Sequence, residues 1–600
     1  MARAAPAPGP ARQDGTTEPD MSLALWYHTV RPLRGRQILA QLRARLARYT
    51  EDPAAFRLRP VPAYPGARLR PRAPFLPPAA RPQARVDLLA GEFSFLNRRE
   101  QVGFPPRWNA LELPRLWRYN LHYFEYIWDL GWDAARVAAL DWIERHALGP
   151  AQTGWEPYPT SLRLVNWCAF FFGEHRERVE ADAALRDALW SSIFLQAEWL
   201  ARHLETHLLG NHLLENAAAL LLAGRCFGGE SAGRWERSGR GVLESELPEQ
   251  VLDDGGHVER SPMYQLRVAW LLLTLRNADA DALTPLVAGP LAGLLRAASL
   301  LRHPDGEIAL FNDSAFGVYP APQALIEANQ RVSGQSAPDP SHAAAGFALA
   351  RTGYFGARGR DGAYLVCDAA PIGPDYQPGH AHGDLLSFEL SFAGRRVVTD
   401  SGVHGYEDDP LRAWCRSTHA HNTVEIDALS QCEFWSVFRV ARRARPREVR
   451  FETRADGFRL VAWHDGYQRL AGRPRHQRRF AWHERGVLLV KDEVTSARSV
   501  TARSRLHLHP DCVVERLAGP VARIRHPGGV FQIRFAGPGE LALEPSIYCP
   551  EFGVQHERTA LRFQAVGAHL AFGFCIANTA DEIGYDLATG AEVAGEKVPW

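Results

Sequence analysis

The chain has 600 residues, of which 46% are hydrophobic, and carries 69 Lys plus Arg against 68 Asp plus Glu. Apolar content at that level excludes a disordered chain, and the length calls for two or three domains. Charge is balanced but almost all of the positive charge is arginine, with Lys491 and Lys597 the only lysines; this is a coding bias toward Arg, Ala, Pro and Gly, without the clustered basic stripe of a nucleic-acid binder.

Residues 1–85 read as a Pro/Arg-rich leader, partly disordered. Met1 to Asp20 lacks the apolar stretch of a secretory signal, and Met21 is an alternative start. Gly35 to Tyr49 is a basic amphipathic segment, expected to be a helix docked on the protein's own surface in preference to a membrane. From about Trp117 to Gln330 apolar residues recur at helical spacing: Leu121 to Leu130, Asp182 to Thr206, Leu213 to Phe227, Leu243 to Leu252, Met263 to Arg276 and Pro285 to Arg302. Glycine-containing breaks between them predict helical hairpins side by side. No apolar run is read as long enough to span a bilayer. The eight cysteines are scattered without a CxxC pair and are expected to be buried thiols. After Gly346 short alternating runs take over, including Leu385 to Phe392, Asn422 to Asp427, Phe458 to His464, Val487 to Asp492 and Glu540 to Tyr548. These predict antiparallel strands in a sandwich. The expected fold class is multidomain α+β: a helical domain over 86–345, then a β-sandwich over 346–600.

Four polar segments interrupt these patterns. Gly210-Asn211-His212-Leu213-Leu214-Glu215-Asn216 opens a helix, where Asn211 is suited to N-capping. Asp253-Asp254-Gly255-Gly256-His257-Val258-Glu259-Arg260-Ser261-Pro262-Met263-Tyr264 is a glycine-rich turn that leads into a helix presenting Tyr264. Asp305-Gly306 followed by Phe311-Asn312-Asp313-Ser314 reads first as a turn with an Asx cap, with lining of the same cleft as the alternative. Gly379-His380-Ala381-His382-Gly383-Asp384 places two histidines two residues apart, and in an extended segment both would face one site. His382 together with Asp400 and His421, if they converge, would make a three-ligand zinc site.

The motifs NHLLEN, DGGHVERSPMY, FNDSA, GHAHGDLLSFEL, VVTDSGV and HNTVEID, in that order, resemble the heparinase II/III-like polysaccharide lyases. The resemblance runs from about Trp117 to beyond Trp435 and implies an N-terminal (α/α) toroid followed by an antiparallel β-sandwich. It also implies β-elimination next to a uronic acid. Asn211 matches the asparagine that contacts the uronate carboxylate, with His212 beside it as a second donor or base. Tyr264 matches the tyrosine that protonates the leaving oxygen, and His380 the second acid/base. His382, Asp400 and His421 match zinc positions, the metal being structural. Trp117, Tyr119, His122 and Trp155, with Tyr158 and Trp167, are candidates for sugar stacking, half of them expected to be core. Glu259, Glu407, Arg412 and Arg416 are candidate substrate contacts. The implied partner is an anionic, uronate-containing polysaccharide. The family's setting implies periplasm or cell envelope, with cytoplasm as the alternative. Two other readings stand beside this one. A glycoside hydrolase would use a carboxylate pair from Glu215, Asp254 and Glu259; a polysaccharide-binding protein without turnover would need none.

Overall fold

The computed structural model describes residues 23–149, 152–334 and 346–600. The start of the leader, with Met1 to Asp20 and Met21, and the boundary at 345/346 lie outside the described residues. Two helices come first, α1 (Leu23–Val30) and α2 (Gly35–Thr50). The second is the segment expected to dock on the protein's own surface, and it does so: Arg34 donates to Glu249 at 2.8 Å and Arg36 pairs with Glu246 at 3.1 Å.

The helical domain is built from α3 (Arg115–Tyr123), α4 (Trp132–Arg145), α5 (Pro157–Trp167), α6 (Ala183–Leu200), α7 (Gly210–Cys226), α8 (Gly229–Gln250), α9 (Pro262–Ala278), α10 (Ala280–Leu300) and α11 (Pro322–Ser333). Successive helices pack as hairpins, α7 on α8 and α9 on α10. Helices α5, α7 and α9 are buried nearly end to end, so their apolar residues run all round rather than along a stripe. Among the described residues α10 alone has the length and apolarity of a membrane span, which the sequence reading did not anticipate. Its Leu283, Val287, Leu291 and Leu294 are buried in the helical core instead.

The β region holds two facing sheets. In the first, β1 (Phe347–Leu349), β2 (Tyr354–Arg358), β3 (Tyr364–Asp368), β4 (Phe388–Phe392) and β5 (Arg395–Val398) run antiparallel in sequence order. The second has ten strands: β6 (Val424–Ile426), β7 (Pro446–Arg454), β8 (Gly457–His464), β9 (Arg475–His483), β10 (Val487–His507), β11 (Val513–Ala518), β12 (Val521–His526), β13 (Gly529–Ala536), β14 (Glu540–Tyr548) and β15 (His556–Ala577). Its centre is the long pair β10–β15, in register at Val490↔Phe574 and Leu506↔Leu561. Phe388 and Leu390 of the small sheet share one core with Phe480, Val490 and Phe574 of the large one. The other face of the small sheet, through Tyr354, Tyr364 and Val366, packs on Leu301, Ala309 and Phe311 of the helical domain. That double burial explains why β3 and β4 are buried at every position, where a one-sided sheet would alternate.

Phe574 lies 6.1 Å from Phe388 and 5.6 Å from Phe535, ring to ring. Phe574→Ala should therefore lower unfolding free energy by about 3–5 kcal/mol, measured as a shifted midpoint in chemical denaturation.

Candidate active site

Five segments meet between the helical and β regions: the turn before α7, the start of α9, the 311–314 turn, the 376–384 segment and the loop after β5. The entry to α7 is left-handed at Leu209 and Gly210 (φ 63° and 57°). A side chain at 210 would put its Cβ 2.1 Å from Glu259 Oε1, so only glycine fits this turn. Asn211 sits in the first turn of α7, with Leu209 at the N-cap, so the capping expectation does not hold. Its backbone N–H donates to Glu259 Oε1 at 2.8 Å and its Nδ2 to Oε2 at 2.9 Å. Asn211 Oδ1 is buried and has no partner in the protein. Burial favours the neutral acid at Glu259, yet His380, His257 and the Asn211 donors outweigh it and hold its pKa below the usual value.

His212 stacks on Tyr158 with ring centroids 4.3 Å apart, and its Nδ1 lies 3.1 Å from Glu205 Oε1. Burial works against a charged imidazole here, but Glu205 outweighs it and the pKa is raised. Tyr264 is set by Ser261, whose hydroxyl accepts the Tyr264 N–H at 3.2 Å and caps α9.

Asp313 organises the rest. His380 donates from Nδ1 to Asp313 Oδ2 at 2.9 Å, and His382 from Nε2 to Oδ1 at 2.8 Å. Arg412 grips both oxygens, at 2.9 Å to Oδ2 and closely to Oδ1. Burial would raise the Asp313 pKa, but Arg412 and the two histidines hold it well below its ordinary value. Because a carboxylate only accepts, these bonds fix the tautomers. His380 keeps Nε2 as the open nitrogen, 3.6 Å from Glu259 Oε2. Tyr264 stacks on His380 with centroids 4.0 Å apart, and its hydroxyl lies 3.1 Å from the Tyr406 hydroxyl. Burial first, then Tyr406, pushes the Tyr264 pKa well above 10.0, so the phenol is held protonated.

His421 donates from Nδ1 to Asp400 Oδ2 at 2.8 Å, and its ring lies 5.4 Å from that of His382. His382 Nδ1 and His421 Nε2 are both buried and unpartnered in the protein; burial works against a charged His421, but Asp400 outweighs it and its pKa is raised. Asp400 holds His421 and accepts Gly402 N–H at 3.2 Å. The three side chains thus share one buried cluster, although among the described residues no group of three or more His, Cys, Asp or Glu side chains stands at ligating spacing.

Several expected substrate contacts are placed elsewhere. Trp117 is 1% exposed and donates to the Arg98 carbonyl at 3.0 Å. His122 accepts from Trp142 at 3.2 Å inside the core, and Trp155 donates to the His146 carbonyl at 2.9 Å. None of these rings is free to stack on a sugar. Tyr119 is half-buried, its hydroxyl on Glu156. Arg412 and Glu259 position Asp313 and Asn211, as described. Arg416 donates to the carbonyls of Ala381 at 3.0 Å and Val437 at 2.9 Å, bracing the His380 segment. The hydrolase carboxylates are also engaged: Glu215 chelates Arg267 at 2.5 and 3.0 Å, and Asp254 accepts the Arg351 and Thr352 N–H groups at 2.7 and 2.8 Å. Sequence reasoning missed Glu205 and Tyr406 as site residues, and it preferred the turn reading for Asp313 to the cleft-lining one. Asp313 carried a signal, a carboxylate flanked by Phe311 and Ala315; the other two carried none.

The family model described as heparinase II/III N-terminus matches residues 136–315, and that described as heparinase II/III-like, C-terminal, matches 341–583. The chain belongs to the heparinase II/III-like family. The N-terminal match contains Asn211, Tyr264 and Asp313, and the C-terminal match contains His380, Arg412 and His421, so both family halves build the cluster. The chain is 26% identical over 314 residues to a heparin-sulfate lyase of Pedobacter heparinus, covering 48% of this chain and 47% of that protein. It is 26% identical over 341 residues to one of Bacteroides thetaiotaomicron, covering 48% and 46%. The chain therefore spans about half the length of the curated relatives it matches. The fold is shared with a solved heparinase III at a TM-score of 0.64 (17% identity, 81% and 82% of the two chains) and with a heparan sulfate lyase mutant from Pedobacter heparinus at 0.60 (21% identity, 83% of each).

Two outcomes follow from these contacts. Asp313→Asn leaves the Arg412 guanidinium buried without its counter-charge and should cost about 3–5 kcal/mol in denaturant unfolding. For His212 the folded pKa lies above the unfolded value of about 6.5, so the pairing with Glu205 stabilises fully below that value. The contribution is lost as pH rises through the raised folded value. The stability gap between the natural chain and Glu205→Gln should accordingly be widest at mildly acid pH and narrow as pH rises, followed by denaturation across pH.

Proposed function

We propose that the protein is a polysaccharide lyase that cleaves a uronic-acid-containing polysaccharide by β-elimination. The observation that carries this reading is the stacked Tyr264–His380 pair, an acid and a base in contact, beside the donors Asn211 and His212. Asn211 and His212 would neutralise the uronate carboxylate, so that charge building on it as the C5 proton leaves is met by oriented donors. His380 Nε2, the nitrogen that Asp313 leaves open, would take the C5 proton. The C5–H electron pair becomes the C4–C5 double bond, the C4–O bond breaks, and the leaving oxygen takes the phenolic proton of Tyr264. Two paired carboxylates, which hydrolysis needs, are missing among the candidates named, since Glu215, Asp254 and Glu259 each have other partners. By family resemblance the setting is periplasm or cell envelope, with cytoplasm as the alternative.

A structural zinc ion belongs to the same proposal. Imidazoles that ligate a metal usually donate their other N–H to a carboxylate or carbonyl, and His382 and His421 both do so, on Asp313 and Asp400. His382 Nδ1 and His421 Nε2 would hold the ion, with Asp400 orienting His421 or joining it as a ligand. The metal would supply rigidity to the His380 segment and take no part in the elimination.

Tyr264→Phe should lower turnover by about 10²–10⁴-fold with folding intact, read as loss of the ultraviolet absorbance of an unsaturated uronate across a panel of uronate polymers. Reducing ends released without that absorbance would sink the elimination reading. His421→Ala should lower bound zinc and thermal stability together, by metal analysis and calorimetry; unchanged zinc content would remove His421 from the set.

A further inference from the structure

Residues 23–50 lie outside both family matches, yet one of their side chains reaches the backbone on either side of the site. On α2, a helix largely open to solvent, Gln37 is 3% exposed. Its Oε1 accepts the Arg34 N–H at 2.9 Å, which fixes the amide so that Nε2 points inward. Nε2 donates to the carbonyl of Tyr376 at 3.1 Å and reaches that of His207 at 3.4 Å. His207 stands four residues before Asn211, and Tyr376 four residues before His380. A single amide thus spans the two segments that carry the carboxylate-binding and acid/base groups, one from each half of the molecule.

The surrounding contacts serve the same junction. Arg34 lies over the Tyr376 ring, 3.7 Å from its centroid, while its guanidinium is held by Glu249 of α8. Beneath it Tyr376 packs with Leu209 and Leu213 in one apolar cluster. At its other end the leader meets the β region: Trp435 donates to Thr29 Oγ1 at 3.1 Å, and Arg443 to the His28 carbonyl at 3.0 Å. Trp435 belongs to the Phe434–Ser436 strand, next to the carbonyls of Ser436 and Val437 that receive Arg416, the latter also Arg412.

We propose that the α1–α2 leader is a clip that holds the two halves of the site in register, with Gln37 as its positioning residue. It touches no substrate atom and acts through the backbone of 207–212 and 376–380. Distance between the Asn211/His212 donors and His380 would then depend on a segment that lies outside both family matches. This rests on the lyase reading for its effect on turnover, but the clip itself can be tested without it.

The test uses the full chain with Gln37→Ala, Gln37→Met and, as a control on the exposed face of α2, Arg45→Ala. Hydrogen–deuterium exchange of peptides spanning 205–212 and 373–382 should quicken in both Gln37 variants by about threefold to tenfold, the range a lost hydrogen bond gives, and stay unchanged in Arg45→Ala. Gln37→Met keeps the volume without the donor, so rescue by Met would show packing alone and overturn the proposal. Unchanged exchange in Gln37→Ala would overturn it whatever the protein's activity. With a cleaved polymer in hand, kcat should fall about 10-fold to 100-fold with KM within about twofold. Faster exchange in both segments with kcat unchanged would overturn the positioning role, while leaving the lyase reading standing.

Discussion

The site depends on one buried carboxylate. Asp313 is fully buried and binds Arg412, His380 and His382 at once. Its backbone N–H donates to the His380 carbonyl at 3.0 Å, and Asn312 Oδ1 accepts the His382 N–H at 2.9 Å. A carboxylate that deep would take up a proton if it stood alone. Arg412 supplies the compensating charge, and the two imidazoles complete the shell of donors around the carboxylate. The node therefore does three things with one charge pair. It joins the helical and β regions, sets the tautomer of His380, and sets that of His382.

The tautomers carry the division of labour. With Nδ1 committed, His380 has only Nε2 to offer, directed at the side of the cleft where Glu259 and Asn211 lie. With Nε2 committed, His382 turns its lone pair the other way, toward His421. Two neighbouring histidines on one carboxylate thus present an Nε2 toward the cleft and a buried, unpartnered Nδ1. Burial keeps His382 in the neutral state, with its pKa lowered to about 4. Backbone in the left-handed region at Leu209, Arg260, Asn312 and Leu386 (φ between 55° and 64°) surrounds this arrangement. Non-glycine residues there are held by their surroundings at some cost, as is common where function fixes geometry.

The fold was legible because its signals are local. Helical spacing and the switch to short alternating runs located α7, α9, β6 and β8 to within three residues, and Glu540 to Tyr548 coincides with β14. Boundaries failed in two places: α5 is buried on every face with Thr160, Ser161, Arg163 and Asn166 among its buried residues, so it gave no periodicity, and β10 runs 21 residues through a stretch read as six. Asn211, Tyr264 and His380, singled out in the sequence by unusual chemistry in a motif, lie close together in the structure. The errors were in residues whose importance comes from distant partners. Asp313 looks like any Asx turn until Arg412, 99 positions away, closes on it. Trp117, His122 and Trp155 look like sugar platforms because aromatics in a motif do not reveal which way they face.

Three cations near the cleft are already matched by carboxylates, and that constrains how an anionic polymer could be held. Arg412 lies on Asp313, Arg267 on Glu215 and Glu125, and His212 on Glu205. Arg412 with Asp313 is close to neutral as a unit and Arg267 faces two carboxylates, so long-range attraction from these residues is weak. Recognition of a carboxylate in the middle of them would rest on short, oriented donors, as with the Asn211 amide, where direction matters more than net charge. Glu259 already occupies one Asn211 donor and shows that a carboxylate fits against it. A substrate carboxylate would have to share that amide through its second N–H, which sets a narrow approach. In such a cleft a small shift between the 207–212 and 376–380 segments would disturb the chemistry before it disturbed binding.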